Sequence, residues 1–176
     1  MDVRSIMKPN PVVCGTLDGI SECAEYMYRQ NVGYLVVLDE HDRCVGVVTD
    51  RDVVCGGVAQ GVDLAATPVT TIMEREFKAV APGDSLHDCL KLMQVEGVRR
   101  VPVLDNGKCV GIVSLDGLIA SGFCSLAEVA TILKNQLGEP NPEHDLRPMV
   151  PEPANKEEIL AQEAREAHEP KKSNAA

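Results

Sequence analysis

The stretch Arg43-Cys44-Val45-Gly46-Val47-Val48-Thr49-Asp50-Arg51-Asp52 decides the fold. A β-rich run ends at a hydroxyl residue, and a carboxylate follows three positions later, as where a strand runs into a helix start. The run returns as Lys108-Cys109-Val110-Gly111-Ile112-Val113-Ser114, 65 residues on. Working outward, Val36-Val37-Leu38-Asp39 matches Pro102-Val103-Leu104-Asp105, Cys23-x-x-x-Met27 matches Cys89-x-x-x-Met93, and Ser5-Ile6-Met7 matches Thr71-Ile72-Met73, each at an offset of 66. The offset changes between Asp39 and Arg43, in a hairpin, where a turn tolerates a deletion. The chain repeats itself, and a repeat governs the architecture.

Within each copy the periodicity switches in the same order. Short extended runs open them, Pro11-Val12-Val13 and Lys78-Ala79-Val80. Ile20, Cys23, Ala24 and Met27 then share one helical stripe, as do Leu86, Cys89, Leu90 and Met93, with Ser85 and Asp88 spaced as a capping box. Two strands follow, Tyr34 to Leu38 and Cys44 to Val48, joined by a polar turn; copy two joins its pair through Asp105-Asn106-Gly107, a strong hairpin signal. A second helix starts at Thr49 or Ser114. The expected fold is α/β (α+β): two tandem β-α-β-β-α units, residues 1–62 and 63–124, related by a pseudo-twofold axis. One unit of about 55 residues is too small to bury a good core alone. The short linker from Gly61 to Thr70 docks the two directly.

Composition narrows the function. Of 176 residues, 44% are hydrophobic and 25% charged, the balance of a soluble globular protein, while 3% aromatics without Trp require an aliphatic core. A net charge of -10 opposes nonspecific binding to nucleic acid or anionic membranes. No apolar run reaches membrane-spanning length, and Met1-Asp2-Val3-Arg4 lacks the features of a secretory signal, so a cytoplasmic protein is expected. Seven cysteines without a C-x-x-C pair read as reduced thiols. Four scattered histidines make no ligand spacing, so no metal site is expected. No P-loop, dinucleotide fingerprint or nucleophile with a base is present, so no enzyme activity is expected.

The succession Ile-Met, a helix ending in Met, Val-Val-Leu-Asp, then Gly-Val-Val-Thr-Asp-Arg-Asp resembles the CBS domain, named after cystathionine β-synthase, whose tandem form is the Bateman module. The resemblance spans roughly residues 3 to 122. It implies a regulatory module that binds AMP, ADP or ATP between the copies, forms a homodimer and signals to an effector protein the sequence does not name. It makes Thr49 the phosphate-side ligand and Asp52 the ribose ligand, with adenine against Val12 and Val13. A helix start suits a phosphate, and a carboxylate one turn on suits ribose hydroxyls. The same Thr49/Asp52 spacing also suits a capping box, and the two roles are compatible. Copy two keeps the hydroxyl as Ser114 but has Gly117 where Asp52 stands, and Asp116 lies one position early, about 100° around the helix. One good site per chain is expected, on copy one. Arg99, Arg100 and Arg51 are candidates to neutralise phosphate, or are solvated edge arginines. The competing functional readings are a ligand-free dimerisation module and a sensor of S-adenosylmethionine or a cyclic dinucleotide.

Beyond the repeats, Ser125 and Glu128 are spaced to cap a helix over 125–138 whose apolar stripe is Leu126, Val129, Ala130, Leu133 and Leu137, stopped by Gly138. It packs on its own chain or meets a dimer mate or partner. Residues 139–176 hold six of the eleven prolines with nine acidic and five basic residues, the composition of a disordered tail. Asn155 to His168 within it could form a weak helix.

Overall fold

Each copy is built in the order its periodicity sets. The structure, a computed structural model, describes residues 1–137. In copy one, β1 (Lys8–Pro9) and β2 (Val13–Gly15) precede α1 (Ile20–Gln30), the strands β3 (Tyr34–Leu38) and β4 (Cys44–Thr49), and a helical turn α2 (Asp50–Asp52) that continues into a π-helical segment, Val53–Val58. Copy two supplies α3 (Leu86–Glu96), β5 (Arg100–Asp105), β6 (Lys108–Ser114) and α4 (Leu115–Ala120); α5 (Leu126–Leu137) follows. The tail 139–176, with its possible helix from Asn155 to His168 and the stop at Gly138, lies outside the described residues.

The helices form because their apolar spacing suits one buried stripe. Ile20, Cys23 and Met27 of α1 are buried, as are Leu86, Cys89, Leu90 and Met93 of α3. Both helices stop at a left-handed residue, Asn31 (φ 50°) and Gly97 (φ 63°). Ser85 Oγ accepts from the His87 N–H at 3.1 Å, one residue earlier than a capping box requires. The β5–β6 hairpin closes through Asn106 and Gly107, both at positive φ, as a two-residue turn demands.

The sheets depart from a simple tandem arrangement. In one, β2 runs parallel to β3, which pairs antiparallel with β4; in the other, β1 of copy one pairs antiparallel with β6, which pairs with β5. The counterpart of β1 in copy two, Glu74, crosses the other way and exchanges backbone hydrogen bonds of 3.0 and 2.8 Å with Val47 of β4. Each copy thus lends the segment before its first strand to the other's sheet.

The cores follow the exchange. Val3, fully buried, and the half-buried Ile6 and Met7 pack in the core of copy two, while Val69, Met73 and Ile72 pack in the core of copy one. Each core thus takes its opening segment from the other copy. The repeated glycines make this possible. A Cβ on Gly46 would lie 2.6 Å from Met73 Sδ and 3.1 Å from the Glu74 carbonyl; one on Gly111 would lie 2.9 Å from Met7 Sδ and 3.0 Å from the Lys8 carbonyl. Between the two sheets a third cluster forms from Tyr34, Val36 and Val47, flanked by Phe77, Cys44, Cys109 and Ile112.

In α5 the edge that is buried is not the expected Leu stripe. Ile132 is the residue fully buried, with Val129 beside it in the core of copy two, whereas Leu126 is 89% exposed, Leu133 38% and Leu137 76%. The helix turns the Ile132 edge inward because α5 lies on α3. There, Asn135 Nδ2 donates to the Gln94 carbonyl at 2.6 Å, and a Cβ on Gly97 would sit 2.7 Å from the Asn135 carbonyl carbon.

Candidate functional site

A cleft of about 730 Å³ opens where β4 runs into α2. Copy one contributes Tyr34, Val47 and Thr49 to Asp52; the segment entering copy two contributes Glu74, Glu76, Phe77 and Lys78. The α3–β5 loop adds Glu96 to Arg100, and α5 adds Leu133, Gln136 and Leu137. The volume is within the range of small-molecule sites.

Of the residues singled out from sequence, Thr49, Arg51, Asp52, Arg99 and Arg100 come together here. Thr49 and Asp52 are half-buried and close a capping box. The Thr49 N–H and hydroxyl both donate to Asp52 Oδ2, at 2.8 and 2.7 Å, and the Asp52 N–H donates to Thr49 Oγ1 at 3.2 Å. Asp52 Oδ2 is thereby engaged by the cap, while Oδ1 has no hydrogen bond among the described residues and remains as an acceptor for a ligand hydroxyl.

Arg99 is exposed; Arg100 lies 3.9 Å from Asp116 Oδ2 and keeps 31% of its side chain exposed. In hairpin register Arg100 stands opposite Ser114, as Tyr34 stands opposite Thr49. Copy one does not carry the same pair of arginines; Gly33 and Tyr34 stand in their places. A Cβ on Gly33 would meet an Asp50 carboxylate oxygen at 2.6 Å.

Val12, Val13 and Ser114 are not among the residues lining this cleft. Val12 packs against the core of copy one, Val13 is 40% exposed, and Ser114 Oγ accepts from the Gly117 N–H at 3.1 Å in a cap with no carboxylate to complete it. The exchange of segments explains the first two. Cys14 bridges Val37 as Val80 bridges Val103, so Val12 corresponds to Lys78, and it is Phe77 and Lys78 that line the cleft together with Asp52. In this cleft the helix start of copy one is joined by the opening segment of copy two.

Tyr34 also lines the cleft. It is 6% exposed, its hydroxyl is buried with no hydrogen-bond partner among the described residues, and burial pushes the phenol above its ordinary range. Burial likewise pushes Cys44 and Cys89 up to about 11, so both stay protonated thiols at neutral pH. Among the described residues no group of three or more His, Cys, Asp or Glu side chains is placed to hold a metal ion.

A pair of small α/β repeats with exchanged opening segments, holding a ligand-sized cleft between them, is the class of module this geometry defines. The family model of the CBS domain matches residues 3–55 and 69–122, and the chain belongs to that family as a tandem pair. The CBS domain-containing protein YhcV of Bacillus subtilis is 39% identical over 99 residues, 56% of this chain and 69% of YhcV. A conserved CBS domain protein of unknown function from Thermoplasma acidophilum superposes with a TM-score of 0.71 at 24% identity, over 78% of this chain and 76% of that one. The CBS domain pair of protein MJ0100, solved in complex with 5′-methylthioadenosine and S-adenosyl-L-methionine, superposes with a TM-score of 0.63 at 25% identity, over 70% of this chain and all of that one. CBS pairs are generally regulatory, non-catalytic modules. Among the described residues no helix is long and apolar enough to cross a membrane.

Proposed function

We propose that this CBS pair is a sensor of an adenine nucleotide held in the cleft between its copies, acting as a homodimer on a partner protein. One observation carries the reading: the cleft joins the Thr49–Asp52 helix start of copy one to the two arginines of copy two. Asp52 Oδ1 accepts from the ribose hydroxyls, Thr49 and Arg100 hold the phosphate, and the base lies against Phe77 and Lys78 in place of Val12 and Val13. A ligand that touches both copies clamps them, and it shifts a dimer or partner surface only by binding one arrangement more tightly than another.

The lining selects among nucleotides. Asp50, Asp52, Glu74, Glu76 and Glu96 oppose Arg51, Lys78, Arg99 and Arg100, five carboxylates against four basic groups. Such a cleft does not neutralise a triphosphate, so AMP fits better than ATP. The same balance favours, as a second reading, an adenosyl ligand without phosphate, and the MJ0100 pair is solved with two of these.

A thermal-shift panel with AMP, ADP, ATP, S-adenosylmethionine, 5′-methylthioadenosine and cyclic dinucleotides tests this. A ligand at about 100 times its Kd adds roughly 2.7 kcal/mol, a rise of several degrees in Tm. The expected result is a rise with AMP that is lost in Asp52→Asn. No rise with any compound would leave a ligand-free dimerisation module.

A further inference from the structure

We infer that α5, which lies outside both matched repeats, is part of the ligand site: its Leu133–Leu137 edge is a second apolar wall, besides Phe77, for the adenosyl base. The inference rests on the adenosyl reading of the cleft and adds to it a wall contributed by neither repeat.

Three observations carry it. First, α5 has two apolar edges of different fate. Ile132 is fully buried in the core of copy two, whereas Leu133 and Leu137, one turn apart on the neighbouring edge, keep 38% and 76% exposure and line the cleft. Two exposed leucines on an already docked helix are not needed to hold that helix. Second, the charged groups of the lining leave Phe77 as the aromatic neighbour for a planar base, and Leu133 and Leu137 add apolar surface for the base from outside both repeats. Third, the helix is held at a fixed distance. Its Asn135 backbone lies so close to Gly97 that a Cβ there would come within 2.7 Å, and Gly97 opens the loop that carries Arg99 and Arg100. A base seated on Leu133 and Leu137 and a phosphate on Arg99 and Arg100 therefore press on one rigid corner, where α5 meets the end of α3. The site accordingly takes a nucleoside with its base present, and reads that base by shape and apolar contact.

The test uses the full chain and AMP, S-adenosylmethionine and 5′-methylthioadenosine as probes, with binding measured by calorimetry for wild type, Asp52→Asn and the double variant Leu133→Ala/Leu137→Ala. Both leucines are at the surface, so the unliganded Tm of the double variant should stay at the wild-type value. Its affinity for the probe that wild type binds should fall about tenfold, the effect of losing a few tens of Å² of apolar contact. Replacing both leucines by Met should restore most of it. Wild-type binding with unchanged affinity in the double variant overturns the role of α5 and leaves the adenosyl reading standing. So does a double variant that changes oligomeric state but not affinity, which would make this edge an interface between copies. Failure of wild type to bind any of the three probes removes the adenosyl reading and this inference together.

Discussion

Gly46 and Gly111 show how single positions hold the exchanged segments. Each sits in the second strand of a hairpin, and each is pressed by the Met side chain and the backbone of the segment lent by the other copy. A methyl group at Gly46 meets a movable thioether, but also the carbonyl of Glu74, which the two hydrogen bonds to Val47 fix in place. Gly46→Ala should therefore destabilise the protein by about 1 to 3 kcal/mol, the usual effect of overpacking. Gly83→Ala, where nothing lies within 4 Å of the added methyl, is the matched control and should change little. Urea denaturation of the two variants checks this; equal stability would mean the crossing segment is loosely held. Asp52 works on two levels at this scale. Its cap and its free Oδ1 serve different partners, so Asp52→Asn should lose ligand response while lowering the unliganded Tm only modestly. An equally weakened fold and ligand response would reduce Asp52 to its cap.

Elements were legible in the sequence wherever local chemistry decides them. The two α-helical stripes, the Asn106-Gly107 turn and the Thr49/Asp52 cap form as read, because spacing, φ requirements and capping bonds act over a few residues. Two features were not legible. The buried edge of α5 is set by α3 through Asn135 and Gly97, so Ile132 wins over an equally apolar Leu edge. Phe77 and Lys78 line the cleft with Asp52 because the crossover of Glu74 onto β4 decides it, and no local pattern distinguishes a strand that stays from one that crosses. The cap of α5 makes an element-scale prediction. Ser125 N–H and Oγ–H donate to Glu128 Oε2 at 2.8 and 2.7 Å, and these bonds hold the carboxyl below its ordinary value of 4.5. A folded-state pKa below the unfolded one means the contribution is fully present at neutral pH. It is lost as pH falls from about 4.5 through the lower folded value. Amide chemical shifts of the first turn of α5 should move with acidification in that window and stay fixed in Glu128→Gln; identical titrations would refute the cap.

At the scale of the whole molecule, the exchange makes the two copies one structural unit. Val3 belongs to the core of copy two and Val69 to that of copy one, both fully buried. Val3→Ala should accordingly lower native-state hydrogen-exchange protection first in α3, β5 and β6. Val69→Ala should do so first in α1, β3 and β4, each at about 1 to 3 kcal/mol. The opposite assignment would mean each segment stays with its own copy. In the proposed sensor, the same interlocking would let a ligand in the cleft act on both copies, and the asymmetry of the copies would set how many ligands bind. Copy one has Thr49 with Asp52 in the cleft that the two arginines line; copy two has Ser114 with Gly117, a cap with no carboxylate to complete it. The most direct test is isothermal titration of the full chain with AMP. One AMP per chain is expected, lost in Asp52→Asn and retained in Ser114→Ala. Two equivalent sites per chain, or binding that depends on Ser114 and not on Asp52, would contradict it.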